Sequence, residues 1–194
     1  MKNNKEAVEL ARYISTFISE YAPSQLTNSD HTLRSYESAL SLYISYLEDN
    51  RGITADKFTK DCFDQQHIEG WMTWLADSRR CSATTCKNRL SAMRAFTRYL
   101  SARDLKYLAL DTGSSAVPYR KTVKKKVVGM SREAVKAILA EPDPKTKVGL
   151  RDLTLMITLY GTAARISELL SIRIGDLHLD DPKPYVIITG KGRK

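Results

Sequence analysis

Apolar residues recur about every 3.6 positions along most of this chain, and this pattern is the strongest constraint on its fold. The helical periods lie at about 5–21, 31–49, 62–77, 82–102, 131–141 and 147–160. Only residues 185–188, which precede Gly190-Lys191-Gly192, are the β-branched and aromatic types typical of a strand. The sequence therefore predicts a mainly α fold with one strand. That strand leads into a turn, and we expect its partner strand to follow beyond the given sequence.

One stretch, residues 111–126, lacks helical periodicity. It is polar and contains Gly113 and Pro118. We interpret it as a linker between a helical domain at 1–110 and a second domain at 127–194. A solvent-exposed run of charged residues with no binding role would have the same sequence pattern. The functional interpretation is a linker between two DNA-contacting modules, which its five basic residues would serve: Arg120, Lys121, Lys124, Lys125 and Lys126.

The chain carries 31 lysines and arginines against 22 acidic residues, a net charge of +9. Such an excess fits a nucleic-acid partner and equally a merely basic protein, so the distribution of the charge has to decide. The three cysteines, Cys62, Cys81 and Cys86, favour a reducing compartment and have no ligand spacing for zinc. With neither a signal peptide nor an apolar span, the sequence predicts a cytoplasmic protein without metal or membrane contact.

Most of the positive charge surrounds the helix predicted at 82–102. Residues 79–106 hold eight basic residues against one acidic residue, a net charge of +7. At about 100° per residue, Lys87, Arg94 and Arg98 fall within about 40° of one another, with the apolar residues opposite. This helix is the predicted DNA-binding surface, and its candidate contacts are Lys87, Arg89, Ser91, Arg94 and Arg98.

The string LYGTAARISELLSIRIGDLHLD at 159–180, followed by YVIITGKGRK at 185–194, resembles the first two catalytic boxes of tyrosine recombinases, the phage-integrase family. The string SATTCKNRLSAMRAFTRYL at 82–100 resembles the core-binding domain of that family. The resemblance implies a helical, SAM-like core-binding domain followed by the first part of a mixed α+β catalytic domain. It implies site-specific DNA recombination or integration, with double-stranded DNA as the partner, no cofactor, and four protomers acting together.

The resemblance assigns roles to three residues. Arg165 is the first catalytic arginine, Glu168 orients it, and Lys191 is the general acid for the leaving 5′ oxygen. The chemistry agrees, because phosphoryl transfer without a metal needs fixed cations, and arginine pairs with two phosphate oxygens at once. The family often has glycine near position 163, where this chain has Ala163. If the resemblance does not extend to these residues, Arg165 is an ordinary surface arginine and Lys191 an exposed loop lysine.

The family's other catalytic residues, including its tyrosine nucleophile, follow this hairpin and would lie beyond Lys194. We expect Tyr160 and Tyr185 to be packed, and the chain alone to bind DNA without forming a covalent adduct. Two alternatives remain open. The chain could be a DNA-binding-only or regulatory relative of an integrase, or a basic helical protein that binds RNA or protein.

Overall fold

Helices account for most of the computed structural model, which describes residues 5–122 and 128–190. The described residues also form two strands of two residues each. The chain divides into two units, residues 1–124 and 125–194, and each is described by itself. The predicted mainly α fold class is confirmed.

Residues 5–122, the described part of the first unit, contain five α-helices joined by short turns and a π-helix. They are α1 (Lys5–Thr16), α2 (Asp30–Arg51), α3 (Gln65–Asp77), α4 (Ala83–Ser101) and α5 (Leu108–Ala116). Turns of 3₁₀ helix lie at Ala55–Lys57, Lys60–Phe63 and Leu105–Tyr107. Gly52 ends α2 with φ 64°, because glycine tolerates the left-handed conformation. Ser82 caps α4 by accepting a hydrogen bond from the Thr85 amide at 3.1 Å.

Aromatic side chains form much of the core of this unit, and α4 supplies one of its walls. Phe96 lies 5.4 Å from Phe17 and 5.3 Å from Phe63, measured between ring centroids. Trp71 is fully buried in this core, and its ring centroid lies 4.9 Å from that of Tyr43. The Tyr43 hydroxyl donates to the Cys62 carbonyl, and burial raises the pKa of Tyr43 well above its ordinary value.

The first helical path does not end near residue 21, where its predicted period of about 5–21 stops. After Thr16 it continues as a π-helix over Phe17–Leu26, with Pro23 inside it. Proline lacks an amide proton and clashes with the carbonyl four residues back in an α-helix. The wider π spacing accommodates this, and the Thr27 amide donates to the carbonyl of Ala22, five residues back, at 3.1 Å.

Helix α5 corrects the predicted linker, because residues 111–116 are helical and belong to the first unit. Their sequence, DTGSSA, has weak helix formers and no apolar period, so its conformation depends on neighbouring helices. Ser114 is fully buried, and its hydroxyl lies 2.7 Å from that of Thr97 on α4. A Cβ at Gly113 would lie 3.4 Å from the Gln65 backbone nitrogen, so glycine allows α5 to approach the start of α3 closely.

Residues 128–190, the described part of the second unit, contain three α-helices and a small sheet. The helices are α6 (Arg132–Ala140), α7 (Lys147–Thr162) and α8 (Ile166–Leu169), and the strands are β1 (Leu177–His178) and β2 (Tyr185–Val186). A 3₁₀ turn at Ile174–Asp176 precedes β1. Ser131 caps α6 by accepting a hydrogen bond from the Ala134 amide at 3.2 Å.

The strand at 185–188 has a partner, contrary to the expectation from the sequence. Strand β2 pairs antiparallel with β1, with Leu177 opposite Val186 and His178 opposite Tyr185. The rings of His178 and Tyr185 stack at 4.3 Å. Residues 177–178 are too short to show an alternating pattern, so the sequence gives no signal for this strand.

Candidate functional site

The exposed side of α4 carries two cations that remain free to contact a polyanion. Lys87 and Arg98 are exposed, and Ser91 lies half-buried between them. The Arg98 side chain makes no hydrogen bond or ion pair with any residue that the structure describes. The Lys87 ammonium lies 5.5 Å from the centroid of the Tyr119 ring. We call Lys87, Ser91 and Arg98 the α4 basic face.

Arg94, which the helical wheel places with Lys87 and Arg98, has a different environment. Its Nε donates to the Ser114 carbonyl at 3.1 Å, and its Nη2 donates to the carbonyls of Ser115 at 3.0 Å and Val117 at 2.5 Å. Its guanidinium carbon also lies 4.2 Å from the centroid of the Tyr119 ring. Arg94 therefore holds α5 and the chain after it. The helical wheel misses this because it ignores neighbouring helices.

Arg89, another predicted DNA contact, is not exposed with the α4 basic face. It is two positions from Lys87, and thus about 200° around the helix. Arg89 is half-buried, and its Nη1 is buried without a hydrogen-bond partner among the described residues. Arg89 is a predicted DNA contact because of its charge. Its position on the helix, however, already indicates that its side chain lies on the core side of α4.

Several other cations in the +7 stretch are held by contacts within the first unit. The Lys106 ammonium lies 2.8 Å from Glu9 Oε1, a hydrogen bond that raises the pKa of Lys106 above its ordinary value. The Arg103 guanidinium lies over the ring of Tyr99 at 4.8 Å. The Arg79 guanidinium lies 5.4 Å from the Trp74 ring centroid. Much of the local charge therefore packs against α1, α3 and α4, so it is not spread evenly over an open surface.

The basic segment after α5 begins beside the α4 basic face. Tyr119 lies over α4, with its hydroxyl oxygen 3.2 Å from Ser91 Oγ. That hydrogen bond, followed by the charge of Arg94, lowers the pKa of Tyr119 from its ordinary value. Arg120 and Lys121 are exposed, and Arg120 Nη1 lies 4.0 Å from Asp77 Oδ1. The other predicted linker contacts, Lys124, Lys125 and Lys126, lie outside the described residues.

A second candidate site lies at the junction of α7 and α8. Ala163 ends α7 in the left-handed conformation, with φ 52°. Arg165 then caps α8, and its backbone amide donates to Glu168 Oε2 at 2.8 Å. Arg165 Nη1 pairs with Glu168 Oε1 at 2.5 Å. The Arg165 side chain is 71% exposed and that of Glu168 only 11%, so the carboxylate anchors a guanidinium that faces outwards.

The chain just before Lys191 approaches the Arg165–Glu168 ion pair. A Cβ at Gly190 would lie 3.5 Å from Glu168 Oε1, which brings the chain before Lys191 beside the carboxylate. Lys191 itself lies outside the described residues. Tyr160 and Tyr185, expected to be packed, are 62% and 50% exposed. That expectation is wrong because, among residues 128–190, Leu169 is the only buried apolar side chain, so little surrounds these rings.

Neither a metal centre nor a membrane span is found in the part of the chain that the structure describes. Across residues 5–122 and 128–190, no three His, Cys, Asp or Glu side chains are grouped in a way that could hold a metal ion. Within the same ranges no helix has the length and apolar character needed to cross a membrane. Cys62, Cys81 and Cys86 are free thiols, and burial raises the pKa of Cys86.

Comparison with known proteins gives matches over nearly the whole chain. Residues 10–104 match the family described as phage integrase, N-terminal SAM-like domain. A protein described as an integrase/recombinase, y4rD of Sinorhizobium fredii, is 25% identical over 97% of this chain and 67% of its own length. The tyrosine recombinase XerD of Oceanobacillus iheyensis is 30% identical over 86% of this chain and 52% of its own length.

A solved structure also matches, the crystal structure of XerA recombinase. The match has 20% sequence identity and a TM-score of 0.40, and it covers 93% of this chain and 60% of that one. The chain spans about half the length of the XerD relatives that it matches.

Proposed function

Since residues 10–104 belong to the phage-integrase N-terminal SAM-like domain family and the chain is homologous to tyrosine recombinases, we propose that it binds duplex DNA in site-specific recombination. The observation that carries this proposal is the α4 basic face. Its two cations are exposed and make no ion pair with a described residue, and buried apolar residues on the opposite side anchor α4 in the core. Lysine and arginine held in this way neutralise backbone phosphates and release counterions.

The proposed reaction is transfer of a DNA phosphodiester to a tyrosine hydroxyl, with the 5′ oxygen as leaving group. Negative charge grows on the non-bridging oxygens in the transition state, and Arg165 would stabilise it. One guanidinium nitrogen pairs with Glu168, which leaves the exposed remainder to face a phosphate. Glu168 would thus position Arg165, and Lys191 would protonate the leaving oxygen. The approach of Gly190 to Glu168 supports a shared site.

The assembly and the compartment are further parts of the proposal. The resemblance to tyrosine recombinases supports a tetramer on DNA. The three free cysteines suit a reducing compartment and support a cytoplasmic location. Lys121, Arg120 and the α4 basic face are the proposed contacts to DNA in the first unit.

Titration of a labelled duplex at several salt concentrations tests DNA binding. If about 6 phosphates are neutralised, log K falls with log salt with a slope of about −5. Fluorescence anisotropy measures the affinity, and a parallel titration with single-stranded RNA of equal length tests the RNA-binding alternative. Affinity that stays constant from low to moderate salt, or a preference for the RNA, would contradict the proposal.

A further inference from the structure

Arg94 meets the last carbonyls of α5, which have no partner within that helix. Nε and both hydrogens of Nη2 face the carbonyls of Ser114, Ser115 and Val117, at 3.1, 3.0 and 2.5 Å. Bidentate pairing with a phosphate needs two parallel N–H groups on one edge of the guanidinium. The guanidinium has two such edges, Nε with Nη2 and Nη1 with Nη2. Both include Nη2, whose two hydrogens already face carbonyl oxygens. Arg94 is therefore poorly arranged for a bidentate phosphate contact.

Tyr119 closes over the same guanidinium from the other side. Its ring centroid lies 4.2 Å from the Arg94 guanidinium carbon, within the range of a cation–π contact. The Tyr119 hydroxyl oxygen also lies 3.2 Å from Ser91 Oγ, within hydrogen-bond distance of α4. Between these contacts Val117 is buried, with 2% of its surface exposed. Residues 117–119 are thus fixed to α4 by a guanidinium, a ring and an apolar side chain.

We infer that Arg94 and Tyr119 form a clamp that fixes the start of the basic segment along α4. The clamp, defined as these two residues, sets Arg120 and Lys121 beside the α4 basic face before DNA arrives. Arg94 is then a positioning residue and not a phosphate contact. This inference rests on the proposed function, because the positioned cations are those proposed to meet DNA.

The advantage of such a clamp is preorganisation. A free basic segment loses conformational entropy when it settles on a duplex, and that loss weakens binding. Here one carbonyl contact, one ring contact and one buried side chain already hold residues 117–119 in the free protein. Two further carbonyl contacts hold the last turn of α5, from which this segment continues. The clamp therefore raises DNA affinity without touching DNA.

Hydrogen exchange of the intact chain without DNA tests the clamp by itself. Arg94→Ala is expected to speed amide exchange in the last turn of α5 by about 10-fold, because charged hydrogen bonds to its carbonyls are lost. Arg98→Ala is the matched control. It removes the same charge from the same helix, but the Arg98 side chain makes no hydrogen bond with α5. Exchange in Arg98→Ala should equal that of the unmodified protein. Equal exchange in Arg94→Ala would overturn the clamp.

Conservative variants then link the clamp to DNA binding. Arg94→Lys keeps the charge but not the planar fork, so its DNA affinity should fall by about 10-fold, as in Arg94→Ala. Tyr119→Phe keeps the ring over Arg94 and should bind nearly normally, whereas Tyr119→Ala should resemble Arg94→Lys. Arg98→Ala, as a lost phosphate contact, should lower the salt slope by about 0.9.

The outcomes separate the clamp from the proposed function. Near-normal affinity and exchange in Arg94→Lys would show an ordinary phosphate contact and overturn the clamp. If the unmodified chain binds no duplex, the proposed function fails, and the clamp's role in DNA binding fails with it. The exchange comparison would still decide whether Arg94 holds α5 and residues 117–119.

Discussion

At the scale of single residues, the turn between α7 and α8 shows how the backbone places a candidate catalytic group. Ala163 ends α7 with a positive φ, and Arg165 follows two residues later as the cap of α8. The turn directs the chain so that the Arg165 amide and guanidinium both reach Glu168. One carboxylate thereby satisfies a helix end and orients the guanidinium at the same time.

Ala163→Gly is expected to stabilise the second unit. A left-handed alanine costs about 1–2 kcal/mol, and glycine avoids this while losing about 0.4–1 kcal/mol to its freer unfolded chain. The net gain is about 0.5–1 kcal/mol in the free energy of unfolding, measured by urea titration with circular dichroism. Ala164→Gly, at a neighbouring position without positive φ, should not stabilise. A loss of stability in Ala163→Gly would contradict the strain at this turn.

Arg165→Ala is expected to impair cleavage far more than binding. In a longer protein that contains this chain and cleaves DNA, strand cleavage should fall about 100- to 1000-fold, as it does when one transition-state donor is lost. DNA affinity should change little, because many other cations remain. A nicked suicide substrate measures cleavage. Arg173→Ala, which removes another exposed arginine of the same unit, is the control. Equal losses of affinity and cleavage would make Arg165 a binding residue only.

At the scale of elements, α4 has two sides with separate tasks. Leu90, Met93, Phe96 and Leu100 are fully buried on one side. The other side presents the α4 basic face and supports the segment that follows α5. Because the core anchors α4 independently of its charges, substitutions on the basic side should alter binding without unfolding the helix.

Reversing the charges of Lys87 and Arg98 together tests this separation. The double variant Lys87→Glu and Arg98→Glu should lose about 100-fold in DNA affinity, about 10-fold for each charged contact, while its helicity stays unchanged. Arg12→Glu with Lys57→Glu is the matched control, because both residues are exposed cations elsewhere in the first unit. An equal loss in the control would show that net charge alone governs binding. Loss of helicity in the first variant would make the basic side structural.

The sequence predicts elements with their own apolar period and misses those that depend on neighbours. Helices α2, α4, α6 and α7 follow from periodicity, and Ser131 and Gly52 mark their ends. Helix α5 does not, since its Thr, Gly and Ser residues become helical only against α4 and α3. The helical wheel also ignores neighbouring helices, so it groups Arg94 with Lys87. In the structure Arg94 instead donates a hydrogen bond to α5.

Glu168 shows the other case, in which the candidate site is predictable. Its spacing of three from Arg165 is local, and the structure brings the two together as the sequence predicts. The catalytic roles of Arg165 and Glu168 stay predictions. So does that of Lys191, which depends on a turn beyond the described residues.

At the scale of the whole molecule, the two units differ in how they bury apolar surface. The first unit has a continuous core from α1 to α5. Among the described residues of the second unit, Leu169 is the only buried apolar side chain, and Ile174 is 90% exposed. Close packing within helices α6–α8 is therefore limited.

Hydrogen exchange of the whole chain should reveal this difference directly. Amides in α2 and α4 are expected to exchange at least about 100-fold more slowly than those in α7, because protection follows local burial. Mass spectrometry of peptides from one exchange experiment compares both units under identical conditions, so each serves as the other's reference. Protection of α7 as strong as that of α4 would contradict the open packing of the second unit.

The exposed apolar residues of the second unit also affect its calorimetry. Heat capacity rises on unfolding because apolar groups become hydrated, and in this unit residues such as Leu170 and Ile174 are hydrated already. The second unit should therefore add little to the heat-capacity step of the chain, and its stability should vary only gently between cold and warm conditions. The first unit, which holds the buried apolar core, should account for most of the curvature and for any unfolding on cooling.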